Sequence, residues 1–381
     1  MLMTKIFLTG ITGLVGSAFA VALLRQRQDC KIVTLARKSS VKSAQKRVED
    51  IIIDQCKFDS CPEIAPDILK YIEVIEGDVT DIDPQALASD AMLQAVTVIF
   101  HCAADVNLGK DADGKTYRIN HNGTERMLEV AKLLKVKEFH YVSTAYVAGK
   151  LRGRAMEGQA KDSGFNNSYE KSKFDSELLV RNAGIPYSIY RPSIIIGRLS
   201  DGRIRKPLAF YTILEFMAKL KKHRCAKLKL DPLGWVDLDV RFRAIPSEHV
   251  YFVPIDYVQS SITALFQKPV CNKTYHITGN SPVSTQLIDQ MICKVLKVGG
   301  VYVEGEATAA NMDEKLMSRF LGDLLPYFSS DIIFDQSNIK DVLGPEALNW
   351  EVGERGLQVM MTSFFKDYFP NVDWVQEIIQ S

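Results

Sequence analysis

The sequence predicts an α/β protein: a doubly wound parallel sheet with a smaller, mostly helical C-terminal lobe. Three observations predict it. Strand and helix patterns alternate through the first half, as a parallel sheet requires, because each crossover must carry the chain back over the sheet. A glycine-rich run, TGITGLVG at residues 9–16, directly follows the first strand pattern. The rhythm then breaks between Arg198 and Pro246, where a second lobe is expected to begin.

Taken in order, Lys5 to Thr9 (KIFLT) reads as the first strand and Val15 to Arg25 as its helix. Lys31 to Leu35 is the second strand, followed by a helix over Ser40 to Gln55 with Val48, Ile51 and Ile52 on its apolar face. Ile72 to Ile75, Val96 to Cys102, Glu138 to Ser143 and Ile185 to Tyr190 continue the series, and a late strand is expected at Thr274 to Thr278. Past Arg198 come a helix pattern over Leu208 to Leu220, a basic stretch, and the alternating VDLDVRFR at 236–243, with Val236, Leu238, Val240 and Phe242 on one side. From Ser281 the pattern is mostly helical. The first domain is therefore expected over 1–196, completed by 249–280, and the substrate lobe over 197–248 and 281–381.

Composition excludes several function classes. The 381 residues are 46% hydrophobic and 24% charged, ordinary for a folded globular chain. Basic and acidic residues number 47 and 46, so no global field draws the chain to nucleic acid or acidic membranes. Seven cysteines without metal-ligand spacing fit reduced thiols in a cytosol, and a cytoplasmic location is expected. No apolar run approaches the roughly 20 residues of a membrane helix. The N-terminus enters a strand pattern at once, so no signal peptide is expected.

The glycine run carries the first chemical argument. Gly10 permits the tight turn leaving the strand, Gly13 lets backbone approach a pyrophosphate, and Gly16 lets the helix pack close to the sheet. The helix N-terminus then offers amides and a partial positive charge to phosphates, the Rossmann-type arrangement. Cofactor choice follows from the end of the second strand. NAD enzymes usually place a carboxylate there for the ribose hydroxyl, whereas this chain has Ala36, Arg37 and Lys38. Arg37, with Arg47 on the next helix, suits the 2′-phosphate of NADP(H), the alternative being a solvated basic turn.

Catalysis rests on helix geometry. Tyr169 and Lys173 in NNSYEKSKFDSELL are four apart, so they share a helix face and can point at one ligand. An ammonium beside a phenol lowers its pKa, and moving it from about 10 towards 7 corresponds to roughly 4 kcal/mol. In reduction the tyrosine donates a proton while the lysine also holds the nicotinamide ribose. YVSTAYVAG at 141–149 supplies Ser143 and Thr144 at a strand end, where a hydroxyl can polarise a carbonyl.

The chain resembles the extended short-chain dehydrogenase/reductase family across most of its length. TGITGLVG, GDVT, HCAADV, NHNGT, the YEKSK helix, YRPSIIIG and VPIDYV carry the resemblance. It implies that Asp78 and Val79 flank the adenine and that Asn120 supports the architecture near the active site. It further implies a cofactor set of Thr9, Gly10, Gly13, Leu14, Val15, Gly16, Ala103, Ala104, Pro192, Ser193 and Ile194, beside Tyr169 and Lys173. Counting back from Gly149, Thr144 rather than Ser143 matches the family's catalytic hydroxyl. Ser193 departs from the pattern, since many relatives have glycine after the proline, and this bears on the nicotinamide contact.

Within the family, VSTAYVAG and FNNSYEKSKFDSELLVR are most similar to the male-sterility and thioester-reductase branch, which includes fatty acyl-CoA reductases. The resemblance implies NADPH-dependent reduction of an acyl thioester, bound to a carrier protein or CoA, to an aldehyde or alcohol. Thr144 and Tyr169 would stabilise the oxyanion. Alternatives on the same scaffold are a nucleotide-sugar epimerase or dehydratase, a ketone or hydroxysteroid-type dehydrogenase, and a non-catalytic NADP-binding sensor. Ala36–Arg37 argues against the first, and the retained tyrosine and lysine against the last. Basic residues at 198–206 and 219–229 read either as a landing site for an acidic carrier or CoA phosphates, or as solvated helix ends and loops. Neither cluster has a nucleic-acid reader motif. His101, His121 and His249 lack ligand spacing, so they read as packing or hydrogen-bonding histidines and no metal is expected. A homodimer is compatible with this reading.

Overall fold

The structure, a computed structural model, describes residues 3–27, 29–158, 161–304, 311–328 and 330–370. It divides into two compact units, one of Met1–Pro192, Val258–Ile277 and Phe334–Ala347, the other of Ser193–Tyr257, Thr278–Ile333 and Leu348–Ser381.

The first unit is built on seven parallel strands: β1 (Thr4–Thr9), β2 (Cys30–Ala36), β3 (Ile72–Glu76), β4 (Val96–His101), β5 (Glu138–Val142), β6 (Tyr187–Pro192) and β7 (Lys273–Ile277). Their order across the sheet is β7-β6-β5-β4-β1-β2-β3, so the chain winds outward in one direction from β1 and then in the other from β4. Register brings the strand ends level. Thr9 pairs with Leu35 on one side and His101 on the other, His101 with Tyr141, and Val142 with Tyr190. The crevice of such a sheet opens at the carboxyl ends where the order reverses, which is between β1 and β4.

Both faces are apolar, and helices cover each. Phe19 of helix Leu14–Gln26 stacks on Phe100 with ring centroids 3.9 Å apart, and Phe266 meets both rings edge-on. Elsewhere Phe7, Val33, Ile99, Phe139 and Ile189 join Met127 and Leu128 of helix Gly123–Leu133 in one core cluster. The second helix runs over Ala44–Phe58 rather than from Ser40, because Ser43 caps it by accepting from the Lys46 amide.

In the second unit a helix occupies Phe210–Leu228, longer than the pattern suggested, and Val236–Arg243 is the expected strand. That strand pairs in parallel with Val298–Glu304. The stretch beyond Ser281 is mostly helical, as expected, and this strand is an element within it that the pattern did not pick out. VGGVYVE is short, β-branched and bounded by a left-handed Lys297, which ends the preceding helix Thr285–Leu296. No helix among the described residues is long and apolar enough to cross a membrane.

Candidate active site

The site is assembled at the carboxyl ends of the first unit's strands. β1 leaves the sheet through Gly10 at φ +82°, and the Gly13 amide donates to the Gly10 carbonyl at 2.9 Å before the helix starts at Leu14. A Cβ on Gly10 would stand 2.6 Å from the Ala103 nitrogen, and one on Gly16 would stand 2.2 Å from the Gly10 carbonyl oxygen. Only glycine fits at either place. Leu14 is buried, Val15 half-buried, and the first helical turn carries no acid.

Thr9 is tied to the far side of the crevice. Its Oγ1 lies 2.6 Å from His101 Nδ1 and accepts from the Ala103 amide at 3.3 Å, while His101 Nε2 meets Thr124 Oγ1 at 3.1 Å. Burial, and then the nearby Lys173 ammonium, push His101 down to about 3, so it is neutral and serves as a hydrogen-bonding joint between β1, β4 and helix Gly123–Leu133. Ala103 and Ala104 follow in the half-buried segment after β4. Among the described residues no cluster of three or more His, Cys, Asp or Glu is arranged to hold a metal.

At the other end of the crevice, Arg37 Nη1 donates to Asp78 Oδ2 at 3.1 Å, and Arg47 Nη1 donates to the Arg37 carbonyl. Burial raises the Asp78 carboxyl, but bonds from the Thr80 amide and hydroxyl and from Arg37 outweigh it and hold the group below the usual carboxylate range. Val79 is buried, and a Cβ on Gly123 would touch it at 3.0 Å. The arginines and Asp78 thus form one exposed cluster across the ends of β2 and β3, with Arg37 already paired to the residue expected beside the adenine.

Tyr169, Lys173 and Thr144 are brought together. Asn167 caps helix Ser168–Asn182 by accepting from the Glu170 amide, and the two catalytic candidates follow one turn apart. Lys173 Nζ donates to the Val142 carbonyl at 2.8 Å and lies 4.7 Å from the Tyr141 ring centroid. Thr144 caps a short helical turn, its Oγ1 3.4 Å from the Pro192 carbonyl oxygen, and its side chain bonds with Tyr169. Ser143 is buried beside Thr144, and its amide donates to the Tyr190 carbonyl at 2.7 Å. Asn120 sits in a π-helical turn, Arg118–Asn122, where its Nδ2 donates to the Asp105 carbonyl and Ser172 Oγ, each at 3.0 Å. It fastens the loop after β4 to the helix that carries Tyr169 and Lys173. Pro192 ends β6, while Ser193 and Ile194 begin the second unit, where Ile194–Ile196 pairs in parallel with Phe252–Pro254.

Electrostatics correct one expectation. Burial raises the Tyr169 phenol above its ordinary value, and the opposing effects of the Lys173 ammonium and the Thr144 hydrogen bond do not overcome it. The shift towards neutrality expected from helix spacing is therefore absent, because spacing conveys the neighbouring cation but not the loss of water around the phenol. Burial likewise lowers the Lys173 ammonium, against raising effects from Tyr169, Cys102 and Glu177. Sequence reasoning passed over Glu177 and Arg191, a wholly buried pair behind the site. The signal was present, since Glu177 continues the spacing of four from Tyr169 through Lys173.

Comparison with known proteins places this geometry in a family. The chain is 25% identical over 295 residues to the nonribosomal peptide synthetase asaC of Aspergillus flavus, covering 73% of this chain and 26% of that protein. Fatty acyl-CoA reductase 1 of Gallus gallus is 31% identical over 147 residues, or 37% of this chain and 28% of that one. The chain thus spans about a quarter of the length of the curated relatives it matches. The same fold occurs in a thiolation-reductase di-domain from an archaeal non-ribosomal peptide synthetase, with a TM-score of 0.71 and 23% identity over 96% of this chain and 76% of that one. The family model described as male sterility protein matches residues 8–262. The chain therefore belongs to the male sterility protein family, the thioester-reductase-like branch of the extended short-chain dehydrogenases/reductases.

Proposed function

We propose that this chain is an NADPH-dependent reductase that takes an acyl thioester, held on a carrier protein or CoA, to the aldehyde or alcohol. One observation carries the reading: Thr144, Tyr169 and Lys173 converge at the carboxyl edge of the same sheet whose first strand ends in a glycine-only turn. That turn fits a dinucleotide, since its backbone is bare and no acid stands in the first helical turn. Gly10, Gly13, Leu14, Val15 and Gly16 would hold the pyrophosphate, Arg37 and Arg47 the 2′-phosphate, and Asp78 and Val79 the adenine. Thr9, Ala103, Ala104 and Asn120 would shape the crevice between, with Lys173 at the nicotinamide ribose and Pro192, Ser193 and Ile194 at the nicotinamide. When bound, NADPH supplies the hydride that converts the thioester carbonyl to an aldehyde with release of the thiol.

The chain's own residues manage the oxygen. A phenol raised by burial stays protonated at neutral pH, so Tyr169 is poised to give a proton rather than to take one, as reduction needs. The Thr144 hydroxyl adds a second donor towards a developing oxyanion. The thioester itself is supported by the relatives, which include a nonribosomal peptide synthetase and a fatty acyl-CoA reductase. The test is turnover of NADPH with acyl-CoA, acyl-carrier, aldehyde and nucleotide-sugar substrates, read by loss of reduced-nicotinamide absorbance and by product mass. Tyr169→Phe should abolish turnover and leave NADPH affinity nearly intact. Thioesters that remain unreduced, or a Tyr169→Phe enzyme that keeps most of its activity, would refute the substrate and the acid respectively.

A further inference from the structure

Behind the reacting groups lies a buried ion pair that the mechanism above does not use. Glu177 and Arg191 have side chains only 3% and 1% exposed. Arg191 Nε and Nη2 donate to the two oxygens of Glu177 at 2.8 and 2.6 Å. The remaining guanidinium contacts are also filled: Nη1 reaches the Met156 carbonyl at 3.3 Å and His276 Nε2 at 3.2 Å, and Nη2 donates to the Gly158 carbonyl at 3.2 Å. A fork this fully satisfied holds one geometry, because every alternative leaves a charged group unpaired.

Its ends are joined to the active site. Glu177 stands one turn beyond Lys173 and two beyond Tyr169 on helix Ser168–Asn182. Arg191 directly precedes Pro192, the residue whose carbonyl receives the Thr144 hydroxyl, and the neighbouring Tyr190 carbonyl accepts from the Ser143 amide at 2.7 Å. We propose that Glu177 is a positioning residue of this active site: forked to Arg191, its carboxylate locks the helix bearing Tyr169 and Lys173 to the strand end that orients Thr144, and sets a fixed negative charge one turn behind the Lys173 ammonium. The groups around Lys173 are Tyr169 and Glu177 on its own helix, His101 and Cys102 at the end of β4, and the Tyr141 ring of β5. Of these only Glu177 carries a full negative charge at neutral pH, since burial raises both Tyr169 and Cys102. Arg191 and Arg181 keep it ionised.

This rests on Tyr169 and Lys173 being the reacting pair, which Tyr169→Phe tests separately. Glu177→Gln keeps the shape and removes the charge. Its kcat should fall about tenfold or more while NADPH affinity at pH 7 stays within about threefold. The pH at which NADPH affinity is lost on the alkaline side, where Lys173 gives up its proton, should move down by about half a unit or more. Glu177→Asp, which keeps the charge, should return that midpoint to the wild-type value. A lower Tm with unchanged kcat and unchanged midpoint would make the pair purely structural and overturn the proposal. Should Glu177→Gln fail to fold, the double variant Glu177→Met/Arg191→Leu removes both charges together, and it should fold yet show the slow turnover and lowered midpoint. Wild-type kinetics in the double variant, or failure of both proteins to fold, would equally overturn it. The NADPH-binding arm uses no acyl substrate, so a wild-type enzyme that reduces no thioester refutes the substrate reading and not this one.

Discussion

Gly13 and Gly16 allow fold and cofactor binding to be perturbed separately. A Cβ on Gly16 would lie 2.2 Å from the Gly10 carbonyl oxygen, 2.8 Å from its carbon and 3.1 Å from Ile11 Cα, all backbone atoms with no rotamer to yield. Relief requires the turn and the helix to separate by roughly 1 Å, and overpacking of this kind costs about 1–3 kcal/mol. Gly16→Ala should therefore lower Tm, by about 2–4 °C for each 1 kcal/mol. The same displacement moves the helix start away from bound phosphate, and an error on the order of 1 Å in a positioned group costs up to about a hundredfold. Gly13 is different. Its φ of −81° suits any residue, and a Cβ there meets the Gly10 oxygen at 3.1 Å, a contact the turn must relieve by only a few tenths of an ångström, so Gly13→Ala should lower Tm far less than Gly16→Ala. It would nonetheless put a methyl group where the backbone is expected to meet the pyrophosphate, and NADPH affinity should fall about tenfold or more. Thermal melts without cofactor, paired with NADPH fluorescence titrations, separate the two effects. A Gly13→Ala protein with wild-type NADPH affinity would refute the placement of the pyrophosphate. A Gly16→Ala protein with wild-type Tm would refute the packing argument.

NADPH should bind at least about tenfold tighter than NADH, close to 1.4 kcal/mol, and Arg37→Ala should erase most of that margin in calorimetry; equal affinities in the parent protein would remove the argument. Burial pushes the Glu157 carboxyl up to about 7, against hydrogen bonds from the His276 and Asn338 amides, so its contribution to stability is full below pH 4.5 and is lost as pH rises through 7. The rise from 4.5 to about 7 corresponds to about 3 kcal/mol, and Glu157→Gln should gain stability relative to the parent between pH 5 and 8 in Tm measurements, whereas a constant difference would contradict it. Neutralising Arg203 and Arg205 should raise KM for a carrier-bound or CoA thioester, less so at high salt, and leave a small neutral aldehyde unaffected; an equal effect on both substrates would assign the arginines to the fold.

Several features were legible in residues alone because they are local. The crossover rhythm, the glycine turn and the four-residue spacing of Tyr169 and Lys173 are set by backbone sterics and helix geometry, which act over a few residues. The Val298–Glu304 strand was hidden because its partner, Val236–Arg243, is some sixty residues distant, and pairing rather than propensity makes it a strand. The Arg37–Asp78 pair needed β2 and β3 to be adjacent with their ends in register, which no single segment encodes. Thr144 was named by spacing from Gly149, but its approach to Tyr169 depends on β5 and β6 lying side by side. The protonation of Tyr169 shows the division most clearly. Sequence determined that a lysine stands one turn away, a Coulomb effect of fixed sign. Only the tertiary structure decided how much water the phenol loses, and in a buried site desolvation outweighs the neighbouring charge.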